Sequence, residues 1–185
     1  MKSERFTLED KIKIIEYLFQ KGSNVNVIDN NWKSAIDYAI EFKSISLIEL
    51  FIKYGVDVNF VDDYKNCPLI YVIEVQSEPI VLLLLKNGAN VTFVDIFDSS
   101  LLDHAIKKKC LAIIESLIEH GADVKFVCKN FDDEKTDHLL FLAIETDEIS
   151  IVKCLLDHGT NYDFKSEEKL IKLMPLLFYG LDLKY

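Results

Sequence analysis

Five glycines, Gly22, Gly55, Gly88, Gly121 and Gly159, sit in the same short phrase, the first four spaced by 33 residues and the last interval lengthened to 38. The phrases read LFQKGSNVNVID from Leu18, FIKYGVDVNFVD from Phe51, LLKNGANVTFVD from Leu84, LIEHGADVKFVC from Leu117 and LLDHGTNYDFKS from Leu155. A fixed period of this size means a stacked array, each unit a small supersecondary element that cannot bury its apolar face without its neighbours. The chain is thereby constrained to an open solenoid and not to a closed globule.

Each unit has a readable internal order. Thr7 followed by Asp10 is a helix-start signal ahead of Ile12, Ile15, Leu18 and Phe19, which predicts one amphipathic helix over roughly 8–21, stopped at Gly22. Only half a unit precedes that glycine. After it come a short extended segment, 24–29, a polar turn, a first helix opening at Ser34 in SAIDYAI, and a second helix, 45–54, that ends at Gly55. Seven residues before each glycine stands an aliphatic residue, Ile15, Ile48, Val81, Ile114 and Val152, and this column is expected to form the continuous core. Ala39, Val72, Ala105 and Ala143 let the first helices approach closely. The five extra residues of the last interval fall in CKNFDDEKTD, between Cys128 and His138, a polar insertion at a hairpin tip. Beyond Gly159, KLIKLMPLLFYG reads either as a capping helix kinked at Pro175 or as the first helix of a degenerate sixth unit; terminal units of arrays are atypical, which favours the cap.

The first-helix slots, SAIDYA from Ser34, CPLIYV from Cys67, SLLDHA from Ser100 and HLLFLA from His138, followed by L-L-x-x-G-A-D-V-N phrases, resemble the ankyrin repeat, whose first helix opens T-P-L-H-x-A. The resemblance covers nearly the whole chain. It implies an all-α ankyrin-repeat solenoid of helix pairs joined by hairpin-like loops: one domain, 1–185, with a half-repeat at 1–29, repeats at 30–62, 63–95, 96–128 and 129–166, and a terminal element at 167–185. Only Pro68 keeps the family proline, suited to the first helical turn. Asp37, Ile70, Asp103 and Phe141 replace the family histidine, and Trp32, Lys65 and Asp98 replace the turn glycine, departures expected to loosen the repeats without threatening the fold.

Composition narrows the function. A net charge of −10 argues against a phosphate-tracking surface, so no nucleic-acid partner is expected, and the acidity keeps a monomer soluble. The longest aliphatic run, Ile80 to Leu85, is far short of the roughly 20 residues that cross a bilayer, so no membrane association is expected. Cys67, Cys110, Cys128 and Cys154 form no CxxC pair; they read as apolar fillers in a reducing cytoplasm. The bias toward Ile, Lys, Asn, Asp and Phe hints at an AT-rich genome, a virus or intracellular parasite among them, in which case the compartment is the host cytoplasm.

No phosphate loop, calcium loop or nucleophile elbow occurs, so neither enzyme activity, cofactor nor metal is expected. His120 and His158, each preceding a helix-ending glycine, read as helix caps; His138 reads as a helix-start residue of surface or core. The adjacent acids Asp62 and Asp63 read as solvated turn residues, and Lys107, Lys108 and Lys109 as a solvated helix end.

Protein binding is the remaining function. The resemblance implies a partner lying across the concave face of hairpin tips and first helices, where the variable position of T-P-L-H-x-A holds Tyr38, Tyr71, His104 and Leu142. Trp32, Tyr64, Phe97 and Phe131 stand at the tips. Rings carry much contact energy at interfaces; packing against the neighbouring hairpin is the alternative use for them. Asp37, Glu41, Asp63, Glu74, Asp98 and Asp103 lie between the rings, which suggests a partner with a basic, partly apolar segment. The expected contact set is Trp32, Tyr38, Asp63, Tyr64, Tyr71, Phe97, Asp98, His104 and Phe131. The resemblance also raises a rival role as substrate of an asparaginyl hydroxylase, at Asn26 and Asn59 of the V-N pairs, and a third as the targeting segment of a longer enzyme or host-directed effector.

Overall fold

The computed structural model of the chain describes residues 7–126 and 138–160. Within them the helices are α1 (Leu8–Gln20), α2 (Ala35–Glu41), α3 (Ile45–Lys53), α4 (Pro68–Glu74), α5 (Glu78–Lys86), α6 (Leu101–Lys107), α7 (Leu111–Glu119), α8 (His138–Glu145) and α9 (Ile149–Asp157). The substantial helix contacts lie within a pair or between adjacent pairs, as a nearest-neighbour stack requires. First helices α2, α4, α6 and α8 make one row. Second helices α3, α5, α7 and α9 make the other, and α1 extends it at the N-terminal end. The terminal element at 167–185 and the tip residue Phe131 lie outside the described residues.

Local sequence explains the element ends. Thr7 and Asp10 form the expected capping box: the Asp10 N–H donates to Thr7 Oγ1 at 3.1 Å, and the Thr7 N–H donates to Asp10 Oδ2 at 3.0 Å. At the other end of a unit, Gly55 takes φ +79°, its N–H donates to Ile52 O and the Val56 N–H donates to Phe51 O, both at 2.9 Å. This closure needs a residue free to enter the left-handed region, which is why the phrase keeps its glycine. His120 and His158 cap their helices as expected, each Nδ1–H donating to the carbonyl four residues back, Ser116 at 2.8 Å and Cys154 at 2.7 Å.

The core is the predicted column. Ile48, Val81, Ile114 and Val152 have no accessible surface, and Ala39, Val72, Ala105 and Ala143 are buried where the first helices meet. Ile15 packs against the same core, half-exposed because α1 ends the described stack.

The hairpins are minimal, with antiparallel bridges at Ile28–Ser34 and Val94–Ser100 among the described residues. Their tips turn through Trp32, Lys65 and Asp98, at φ +62°, +60° and +61°. The turn has kept its left-handed residue while losing its glycine, at a cost of about 1–2 kcal/mol per site. Glycine at Lys65 relieves that strain and adds back about 0.5–1 kcal/mol of unfolded-chain freedom, so Lys65→Gly is expected to raise stability by about 0.5–1 kcal/mol in urea unfolding. Lower stability in the variant would mean that the surroundings hold the lysine in place.

A second set of left-handed residues, Lys43, Gln76, Lys109 and Asp147, joins the helices of each pair. Two of them reach the next unit: Gln76 Nε2 donates to Lys108 O and Lys109 Nζ to Thr146 O, both at 2.7 Å. Lys108 Nζ also pairs with Glu74 at 2.5 Å. The lysine run is therefore not a free solvated end; two of its three members bind adjacent units together.

Candidate functional site

Three aspartates shape the hairpin tips, a role that the sequence reading did not assign to them. Asp29, Asp62 and Asp95 end three of the glycine phrases, and one carboxylate oxygen of each accepts turn amides. Asp29 Oδ1 takes Asn31 N–H at 2.8 Å and Lys33 N–H at 3.0 Å; Asp62 Oδ1 takes Asn66 N–H at 2.8 Å; Asp95 Oδ1 takes Phe97 N–H at 2.8 Å and Ser99 N–H at 2.9 Å. The second oxygen reaches the first helix nine residues on. It accepts Tyr38 O–H at 2.5 Å in the first unit, Tyr71 O–H in the second, and His104 Nε2–H at 2.9 Å in the third. The residue column expected to face a partner is thus also the set of struts that holds the hairpins upright.

Electrostatics follow the bonds. The Tyr38 hydroxyl, then the amides of Lys33 and Asn31, hold the Asp29 carboxyl down at about 2. Burial, and then the bond to Asp62, push the Tyr71 hydroxyl up to about 12. Asp62 is 5% exposed, which corrects the expectation of a solvated turn acid there; its amide and hydroxyl donors compensate for the lost water.

The expected contact residues divide by accessibility. Trp32, Tyr64 and Phe97 project from the tips at 49%, 67% and 69% exposure, with Ile96 beside them at 60%. Tyr38 is partly open, its ring covered by Lys33 Nζ at 5.5 Å, and that lysine also pairs with Glu41. Tyr71 and His104 are half-buried. Asp63 is exposed and Asp98 half-buried, and neither side chain takes part in a hydrogen bond or ion pair among the described residues.

Two of the remaining acids, Asp37 and Asp103, do not line a groove as the sequence suggested. Asp37 and Asp103 are buried helix caps: Asp37 Oδ2 accepts Ser34 N–H at 2.8 Å and Ser34 O–H at 2.7 Å, and Asp103 Oδ2 accepts Ser100 N–H at 2.8 Å and Ser100 O–H at 2.6 Å. Asp103 Oδ1 additionally accepts His138 Nε2–H across the junction to the next pair. His138 is therefore an interunit hydrogen-bond partner at the head of α8. Glu41 and Glu74 are paired with lysines. Among the described residues of the expected acidic lining, Asp63 and Asp98 are the acids left unpaired, beside the exposed rings of Trp32, Tyr64 and Phe97.

Asn26 and Asn59 are exposed yet fully engaged. Asn26 Nδ2–H donates to Gly55 O at 3.0 Å while its Oδ1 accepts Asp57 N–H at 2.8 Å; Asn59 does the same with Gly88 O at 2.9 Å and Asn90 N–H at 2.7 Å. Each staples one unit to the next.

No group of three His, Cys, Asp or Glu side chains converges for a metal among the described residues, and no described helix is long and apolar enough to cross a membrane. Burial pushes the Cys67 thiol up to about 11, so it lacks the thiolate character of a nucleophile. A family model for ankyrin repeats in three copies matches residues 7–95 and again 38–128. No curated protein matches the chain.

Proposed function

Because the chain belongs to the ankyrin-repeat family, whose members are generally protein-interaction modules, we propose that it is a non-catalytic binding module. It engages a protein partner across the hairpin tips and first helices. One observation carries this reading: the tips present large rings to solvent, Trp32, Tyr64 and Phe97, on turns held by an aspartate and its strut from the first helix. Holding such rings exposed has a solvation cost that packing alone does not recover, whereas rigid aromatic surface is what interfaces use. Among the described side chains of the expected acidic lining, only Asp63 and Asp98 are left to attract charge, so the partner segment is chiefly apolar, with basic residues at its margins. The unbridged thiols Cys67, Cys110 and Cys154 suit a reducing compartment, the cytoplasm.

The struts guide the choice of variants. Alanine at Tyr38 or Tyr71 removes a hairpin support as well as a ring, so the cleaner test truncates the tips, with Trp32→Gly and Tyr64→Ala. Together they are expected to weaken binding of a protein partner captured on the immobilised chain by about a thousandfold, since hot-spot rings contribute about 2 kcal/mol or more each, with helical circular dichroism unchanged. Equal affinity of the variant would reject the tip surface.

A further inference from the structure

The junction between the second and third full units lacks the staple that closes the two junctions before it. Position 92 holds threonine where Asn59 and Asn26 stand one and two units earlier. Its side chain is too short to cross, and both its N–H and its O–H turn back to Asn90 Oδ1, at 3.0 and 2.8 Å. The groups that would have received an asparagine here, the Gly121 carbonyl and the Asp123 N–H, take part in no hydrogen bond among the described residues. Bordering this place, an open groove of about 200 Å³ is lined by Phe93, Val94, Leu101 and Phe126 together with Thr92 and Asp123.

We propose that this groove is a subsite for a primary carboxamide, the side chain of an asparagine or glutamine set between apolar residues on a protein partner. The protein already contains that recognition event twice. Val25-Asn26-Val27 and Val58-Asn59-Phe60 each present a carboxamide between apolar flanks to a carbonyl and an amide N–H of the following unit. One acceptor and one donor, two residues apart on the backbone, match the two ends of a carboxamide, as the same pair does in the two units before. Charge agrees: the Asp123 carboxylate at the rim repels an acidic side chain, and a neutral amide supplies the N–H that the Gly121 carbonyl needs. The apolar walls supply the contact area that a lone pair of exposed hydrogen bonds lacks.

The inference rests on the reading that the array takes up a protein segment, but it is tested at the Asp123 amide with a defined peptide, so its failure and that of the tip surface are separable. The full chain, labelled with nitrogen-15, is titrated with acetyl-Val-Asn-Phe-amide at millimolar concentration. A saturable shift centred on the Asp123 N–H is expected, kept in Thr92→Val and lost in Thr92→Asn, whose own side chain then occupies the site. The aspartate peptide acetyl-Val-Asp-Phe-amide is expected to bind about tenfold more weakly or worse, as the loss of one such bond implies. Absence of a saturable shift at Asp123, an equal shift in Thr92→Asn, or equal binding of the aspartate peptide overturns the proposal.

Discussion

Truncating Ile114 to alanine is expected to lower the unfolding free energy by about 2–5 kcal/mol, the range for removing a large aliphatic side chain from a fully packed site. Ile114 has no accessible surface and sits on α7, which packs against α5 behind it and α9 ahead. The cavity therefore damages two junctions at once. In a stack with nearest-neighbour coupling the damage stays near its source. Hydrogen exchange is expected to quicken most in α6 to α9 and least in α2 and α3. A loss under about 1 kcal/mol in urea unfolding, or a uniform rise in exchange along the chain, would contradict the stacked core.

Asp103→Ala is expected to cost about 3–5 kcal/mol, the effect of taking a buried carboxylate acceptor away from three donors. Asp103 is 0% exposed, and alanine leaves His138 and the Ser100 cap without their acceptor. The pH dependence has a definite sign. Burial raises the Asp103 carboxyl, but the bonds from His138 and Ser100 outweigh burial and hold it below the ordinary value of 3.8. A carboxyl lower in the native state than in the unfolded one stabilises fully above its unfolded value, and that stabilisation is lost as pH falls through the native one. Asp37, with an equal cap but no histidine, is raised by burial, so acid relieves a penalty there. Wild type and Asp103→Ala should thus differ in stability at neutral pH and converge as pH falls below 3.8. A constant difference down to strong acid would show that the alanine effect is packing and not the carboxylate.

Features that recur at fixed spacing were legible in the sequence. The glycine phrase and the aliphatic residue seven places before it carry a unit's whole architecture, because a second helix must bury one stripe and then turn. Charge was read less well, since an aspartate has the same letter in water and under a helix. The cue is nonetheless present: Ser34 with Asp37 and Ser100 with Asp103 repeat the spacing of Thr7 with Asp10, which marks a helix start. Asp29–Tyr38, Asp62–Tyr71 and Asp95–His104 share a nine-residue separation, a regularity hidden by the change from tyrosine to histidine. The Asp103–His138 pair left no local trace, because its partners lie 35 residues apart across the lengthened interval.

The most direct test is a residue-resolved hydrogen-exchange and cross-linking footprint of the chain with a protein partner captured on the immobilised chain and identified by mass spectrometry. Protection is expected at the tips bearing Trp32, Tyr64 and Phe97 and along the first helices α2, α4 and α6, leaving α3, α5 and α7 unchanged. Protection confined to those second helices would contradict binding across the tip and first-helix face.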